Sequence, residues 1–181
     1  CVHSLQGEFP QRLHLICRSG KLGLGTAYIT GFKRALEQGY DYITEVDADF
    51  SPDPTDLPRL SECFEEAGAD GAIGSRYADG VSVVNWPIGR IIMSYYASVY
   101  TRTILHTGIM DSTAGFVCWS AKVLRSIDLD AVKMKGYGFQ IEMKYTTYKL
   151  GYKIAEVPVI FINRQEGTSK MSGSIFGEAF W

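Results

Sequence analysis

Two hydrophobic periods alternate along the first half of the chain. Residues 12–17 (Arg12, Leu13, His14, Leu15, Ile16, Cys17) alternate apolar and polar, which predicts a strand. Tyr28, Phe32 and Leu36 then recur every four residues, predicting a helix with one apolar stripe that Thr26 caps and Gly39 ends. Tyr42, Ile43, Thr44 and Val46 favour a strand over 41–47, which Pro52 and Pro54 stop because proline donates no ladder hydrogen bond. A second helix is expected over 55–67 with Leu57, Leu60 and Phe64 inward, and a strand over 71–75 delivers Arg76. This order predicts an α/β fold, a mostly parallel sheet with helices on both faces.

The second half is less regular. Residues 79–87 read as a loop. Residues 88–105 read as a helix rich in apolar and aromatic surface: Ile91, Ile92, Tyr95, Tyr96, Val99, Tyr100, Ile104 and Leu105. A loop with Asp111, a strand at 116–119 and a short helix at 121–126 follow. A helix over 139–150 ends at Gly151, and a strand over 152–162 leads into a loop at 163–172.

The 181 residues suit one domain, and 46% hydrophobic residues supply a full core. A formal net charge of −2 argues against nonspecific nucleic-acid binding. The four cysteines (Cys1, Cys17, Cys63, Cys118) never form C-x-x-C, so neither a zinc site nor a disulfide framework is expected, and a reduced cytoplasmic setting fits best. No stretch reaches the ~18 apolar residues of a membrane span, and no signal peptide is read. The chain starts without methionine and stops inside a helical pattern, so it is expected to be a piece of a longer protein.

Asp47 and Asp49 flank the small Ala48 where the acidic strand ends. On a strand, residues i and i+2 point to the same side, so both carboxylates would meet at the C-terminal edge of the sheet, where open α/β sheets bind ligands. A hard divalent cation would relieve their repulsion; a loop of solvated aspartates stands as an equal alternative. The glycine-rich stretch from Lys21 through Gly23 to Gly25 precedes a helix N-terminus and could receive an anion, although an ordinary tight turn fits better because the complete phosphate-loop patterns are absent. Arg76 and Arg90 could clamp a phosphate or be solvated surface arginines. Glu142 could face a pocket or simply complement the helix dipole. Arg164 and Lys170 sit on a Gly/Thr/Ser loop that reads as a lid over phosphates or as an exposed connector. The 88–105 helix reads by default as core; a dimer face and, with Trp86, its tyrosines and Arg102, a membrane-interface helix are the alternatives. The three histidines (His3, His14, His106) lie outside every motif.

Taken in order, K-L-G-L-G-T-A, E-V-D-A-D-F-S, G-S-R-Y, N-W-P-x-G-R, D-S-T-A-G-F, F-Q-I-E and R-x-x-G-x-S-K resemble glycosyltransferase family 2, and within it the polyprenyl-phosphate (dolichyl-phosphate) mannosyltransferases. The resemblance spans about Leu13 to Ser172 and implies a single GT-A domain over 1–181. It implies Mg²⁺ or Mn²⁺ on Asp47 and Asp49, bridging to the donor diphosphate, with Lys21, Gly23 and Ala48 in the donor-binding set. It implies that Arg76 and Arg90 hold phosphate, that Gln140 and Glu142 lie near the sugar, and that Arg164 and Lys170 cover the donor. Asp49, Arg76, Arg90 and Glu142 are the expected catalytic set. Ser51 stands where relatives often carry a glutamine. The family's V-I-P-x-Y-N-E and D-D-x-S-x-D segments are not in this chain, so the sheet's first strands and half of the guanosine pocket are expected to lie before Cys1. The implied activity is metal-dependent, inverting transfer of mannose from GDP-mannose to a polyprenyl phosphate, peripherally at the cytoplasmic face of a membrane, with a membrane-anchoring domain or subunit as a further partner. UDP-glucose as donor and a noncatalytic sugar-nucleotide or lipid-phosphate binding module are the alternatives.

Overall fold

A computed structural model describes residues 2–136 and 138–163. Its elements in order are α1 (Val2–Glu8), α2 (Leu24–Glu37), β1 (Tyr42–Glu45), a 3-10 turn (Pro54–Asp56), α3 (Leu57–Glu66) and β2 (Gly71–Ser75). Then come β3 (Val83–Val84), α4 (Ile88–Leu105), β4 (Val117–Ser120), α5 (Ala121–Ser126), α6 (Gly138–Lys149), β5 (Ile154–Pro158) and β6 (Phe161–Ile162).

Four strands form one sheet in the order β1-β4-β2-β5. β4 is antiparallel to both β1 and β2, and β5 is parallel to β2. Three strands therefore run one way, as expected, but the hydrogen bonding is mixed because β4 enters reversed between β1 and β2. Alternate side chains send the sheet into two cores. Ile43, Ile73, Val117 and Trp119 pack with Phe32, Leu124, Phe139 and Met143 on one face. Ala72, Phe116, Cys118 and Val157 pack with Leu60 and Phe64 on the other. Helices thus cover both faces: α2, α5 and α6 on the first, α3 on the second.

Several local expectations change. Residues 12–17 pair with no strand among the described residues, form no regular element and are mostly exposed, since alternation alone supplies no ladder partner. Leu57 opens α3 and is 37% exposed rather than inward. The expected strand over 152–162 breaks after Pro158, and its second piece, β6, pairs with β3 in a separate parallel ribbon within what reads as a loop. Arg164, Lys170 and the rest of the lid loop beyond Asn163 lie outside the described residues.

The 88–105 helix has the expected bounds but not the default core face. α4 buries Ser94, Ser98 and Thr101. Ile88, Ile92, Tyr96, Tyr100 and Ile104, spaced by four, are exposed.

Candidate active site

β1 ends at Glu45, before either aspartate. Strand alternation therefore does not orient Asp47 and Asp49; a turn does. The backbone N–H of Ser51 donates to Asp49 Oδ1 at 3.0 Å, an Asx-type bond that closes the turn. Phe50, inside it, is held at φ 56°, a left-handed conformation that costs a bulky residue ~1–2 kcal/mol. Ala48 is exposed in the same turn. Asp47 is anchored from outside, because the Tyr28 hydroxyl on α2 donates to Asp47 Oδ1 at 3.0 Å. Burial and the nearby Asp47 and Glu45 carboxylates push the Tyr28 hydroxyl above its ordinary range, so it remains a donor.

The turn is tied to the arginines through β6. The Ile162 N–H donates to Ser51 O at 2.9 Å, and Pro52 bridges to Phe161. Next in the chain, Asn163 accepts from Arg90 Nη1 at 3.1 Å. The Arg90 guanidinium lies 3.6 Å from the centre of the Trp86 ring, and Arg76 approaches the same ring at 5.5 Å. A continuous line of contacts thus runs from the aspartate turn through Asn163 to Arg90, Trp86 and Arg76. Such stacking holds a planar guanidinium in a fixed orientation, and the guanidinium fork matches phosphate oxygens.

Arg76 is held by a buried carboxylate. Its Nε and Nη2 donate to the two oxygens of Asp111 at 2.7 and 2.6 Å, and Nη2 also reaches Thr113 Oγ1 at 2.8 Å. Burial would raise the Asp111 carboxyl, but Arg76's charge and hydrogen bonds outweigh it and hold it below the usual carboxylate range. Both oxygens of Glu156 accept from the Met110 and Asp111 N–H groups, fixing the segment that carries Asp111.

Beneath it lies buried Lys144, whose ammonium donates to the carbonyls of Ser112 and Ala114 at 3.1 and 2.6 Å. Burial lowers Lys144 and raises Glu45, which faces Trp119 and Gln140. Gln140, expected near the sugar, is buried in this polar layer. The Glu142 carboxylate accepts from the N–H groups of Lys133 and Met134, so it clasps the loop before α6.

The glycine-rich stretch is a closed turn, the reading that fits its sequence better than an open anion cradle. The Gly25 N–H donates to Lys135 O at 2.9 Å. Gly23 sits at φ 101°, where a Cβ would come 2.8 Å from Lys135 O. Lys21 is exposed.

Sequence reasoning missed Tyr28, Asp111, Glu156 and Lys144. Tyr28 did carry a signal: a tyrosine in an apolar stripe must find a partner for its hydroxyl. Asp111 opens the D-S-T-A-G-F motif but carried no role there, and Glu156 and Lys144 offered no signal because their partners are distant in sequence.

The donor set fits Mg²⁺ or Mn²⁺ brought by a diphosphate. Asp47 and Asp49 are hard oxygen ligands on an accessible turn, and no group of three His, Cys, Asp or Glu side chains suited to a metal exists among the described residues. Two carboxylates completed by substrate phosphates are a usual arrangement for Mg²⁺.

Residues 2–128 match the family model described as Glycosyl transferase family 2. The chain is 49% identical over 167 residues to the undecaprenyl-phosphate mannosyltransferase of Micrococcus luteus, covering 92% of this chain and 68% of that protein. It is 46% identical over 172 residues to the polyprenol monophosphomannose synthase of Mycolicibacterium smegmatis, covering 95% and 64%. Among solved structures, glucosyl-3-phosphoglycerate synthase of Mycobacterium tuberculosis, crystallised with Mn²⁺ and UDP-glucose, shares the fold at a TM-score of 0.57 and 18% identity, over 97% of this chain and 55% of that one. The chain belongs to glycosyl transferase family 2, within which it is similar to the polyprenyl-phosphate mannosyltransferases.

Proposed function

We propose that this chain carries the sugar-transfer site of a polyprenyl-phosphate mannosyltransferase that takes mannose from GDP-mannose. The observation that carries the reading is the line of contacts joining the Asp47–Asp49 turn to Arg90 over Trp86. It gives one edge of the fold carboxylates for a metal–diphosphate end and a guanidinium for a second phosphate. The names of the two relatives support a polyprenyl phosphate as the acceptor.

Asp47 and Asp49 would hold Mg²⁺ or Mn²⁺, which when bound supplies Lewis-acid stabilisation of the leaving diphosphate. Arg90 binds and orients the acceptor phosphate. Arg76, locked to Asp111, stiffens the wall behind it. A phosphate monoester has a second pKa near ~6, so it is largely dianionic at neutral pH and is already a nucleophile. Its oxygen attacks the anomeric carbon as the bond to the diphosphate breaks, inverting the centre and requiring no protein base. That agrees with a Glu142 committed to backbone N–H groups. The principal task of the site is to bring two anions into contact.

The test supplies the full-length protein with radiolabelled GDP-mannose, polyprenyl phosphate and Mg²⁺, and follows label into the organic phase. Wild type is expected to transfer label and Asp49→Ala to lose at least ~100-fold of the rate, a loss of the order expected when transition-state electrostatics are removed. Label only from UDP-glucose would replace the donor. Label from no donor would leave a binding module.

A further inference from the structure

We propose that Tyr28 is a positioning residue for the cation and diphosphate end of the site: its hydroxyl fixes the Asp47 carboxylate through Oδ1 and leaves Oδ2 as the oxygen that meets a cation. The inference rests on the reading of Asp47 and Asp49 above.

Asp47 stands two residues beyond the end of β1, in an exposed turn whose own internal bond is made by Asp49. Left alone, such a carboxylate rotates among several orientations, and a cation must order it on binding. The Tyr28 hydroxyl removes that freedom at 3.0 Å. Tyr28 is in turn immobilised by its ring. It stacks on Phe139 of α6 at a centroid distance of 5.8 Å and 12° between planes, and on Phe32 one turn along α2 at 6.3 Å. Phe32 and Phe139 are themselves almost fully buried.

The glycine-rich turn makes that stack possible. A Cβ on Gly25 would lie 2.7 Å from the Phe139 ring and 2.8 Å from Met134 O. Glycine there lets α6 approach α2 closely enough for Phe139 to meet Tyr28. The K-L-G-L-G stretch thereby contributes to the site through packing, two steps removed from the aspartate. A leucine or phenylalanine at 28 would fill the apolar stripe equally well; only the hydroxyl serves Asp47. Outer groups that orient a ligand in this way are worth roughly 10–100-fold in metal affinity.

The experiment titrates Mn²⁺ calorimetrically into the protein in the presence of GDP, alongside the metal dependence of turnover. Tyr28→Phe keeps the ring stack and removes one oxygen. It is expected to weaken Mn²⁺ affinity roughly tenfold, and to raise the Mn²⁺ concentration for half-maximal turnover by the same factor, with the loss recovered as metal is raised. Asp47→Asn is expected to abolish Mn²⁺ binding. Undiminished Mn²⁺ binding in Asp47→Asn would overturn the metal reading itself. Loss in Asp47→Asn with no change in Tyr28→Phe would overturn the role of Tyr28 alone. A loss in Tyr28→Phe that excess Mn²⁺ does not recover would also overturn it, by tracing the effect to the fold rather than to metal affinity.

Discussion

Asp111 is fully buried and receives three hydrogen bonds from Arg76, from its backbone N–H, Nε and Nη2. Removing one partner of such a pair strands the other's charge away from water, a loss of about 3–5 kcal/mol. Asp111→Asn is therefore expected to lower stability by that order at neutral pH, read by urea denaturation. Because the folded carboxyl is held below its usual value, its contribution is present above the unfolded pKa near ~3.9 and vanishes as pH falls through the folded value. The gap between wild type and Asp111→Asn should accordingly narrow as pH is lowered below ~4. A gap of constant size would exclude the ion pair as its cause. At this scale the sequence was legible for residue types and opaque for partners. Arg76 and Asp111 both sit in quoted motifs, G-S-R-Y and D-S-T-A-G-F. That they hold each other across 35 positions was not readable from either.

The element that reverses its expected polarity is α4. Its buried side is made of Ser94, Ser98 and Thr101, small residues that allow close packing. Ile88, Ile92, Tyr96, Tyr100 and Ile104 form the exposed stripe, starting two residues before Arg90. No helix among the described residues is long and apolar enough to cross a membrane. A stripe of isoleucine and tyrosine beside Arg90, the arginine proposed above to bind phosphate, has the composition of a helix that lies in a bilayer interface. Ile92→Glu combined with Tyr96→Glu, at positions 51% and 64% exposed, is expected to reduce cosedimentation with vesicles at least ~10-fold. The melting temperature should remain near that of wild type. Undiminished binding would remove α4 from the membrane reading. The periodicity of 88–105 located the helix correctly, but it did not say which face packs inward, because serine and threonine at the right spacing make a buried seam as readily as leucine does.

For the whole molecule, the two central strands carry the order. β2 and β4 each have neighbours on both sides, and every residue of β2 is buried. α1 buries none of its residues. Hydrogen exchange is expected to be slowest at Ala72, Ile73, Val117 and Cys118, and fastest, near the unprotected rate, over α1. Comparable protection in α1 and β2 would contradict this division.

The sequence by itself determined the elements whose signal is local. The every-fourth stripe of α2, the helix stops at Gly39 and Gly151, the buried run of β2 and the ordered motifs that identify the family all depend on residues within a few positions of one another. The tertiary structure alone decided the rest. β4 is buried on both faces and so carries no alternation to declare its direction; only its neighbours set it antiparallel. The strand over 152–162 was divided by a partner, β3, too short to be seen as a strand. Asp47 takes its orientation from Tyr28, 19 residues earlier, and the turn that holds Asp49 is tied at Ser51 to a β6 backbone more than a hundred residues later. Periodicity reports which face of one element meets the core. It holds no information about which distant group meets a given polar atom, and the chemistry of this site depends on those pairings.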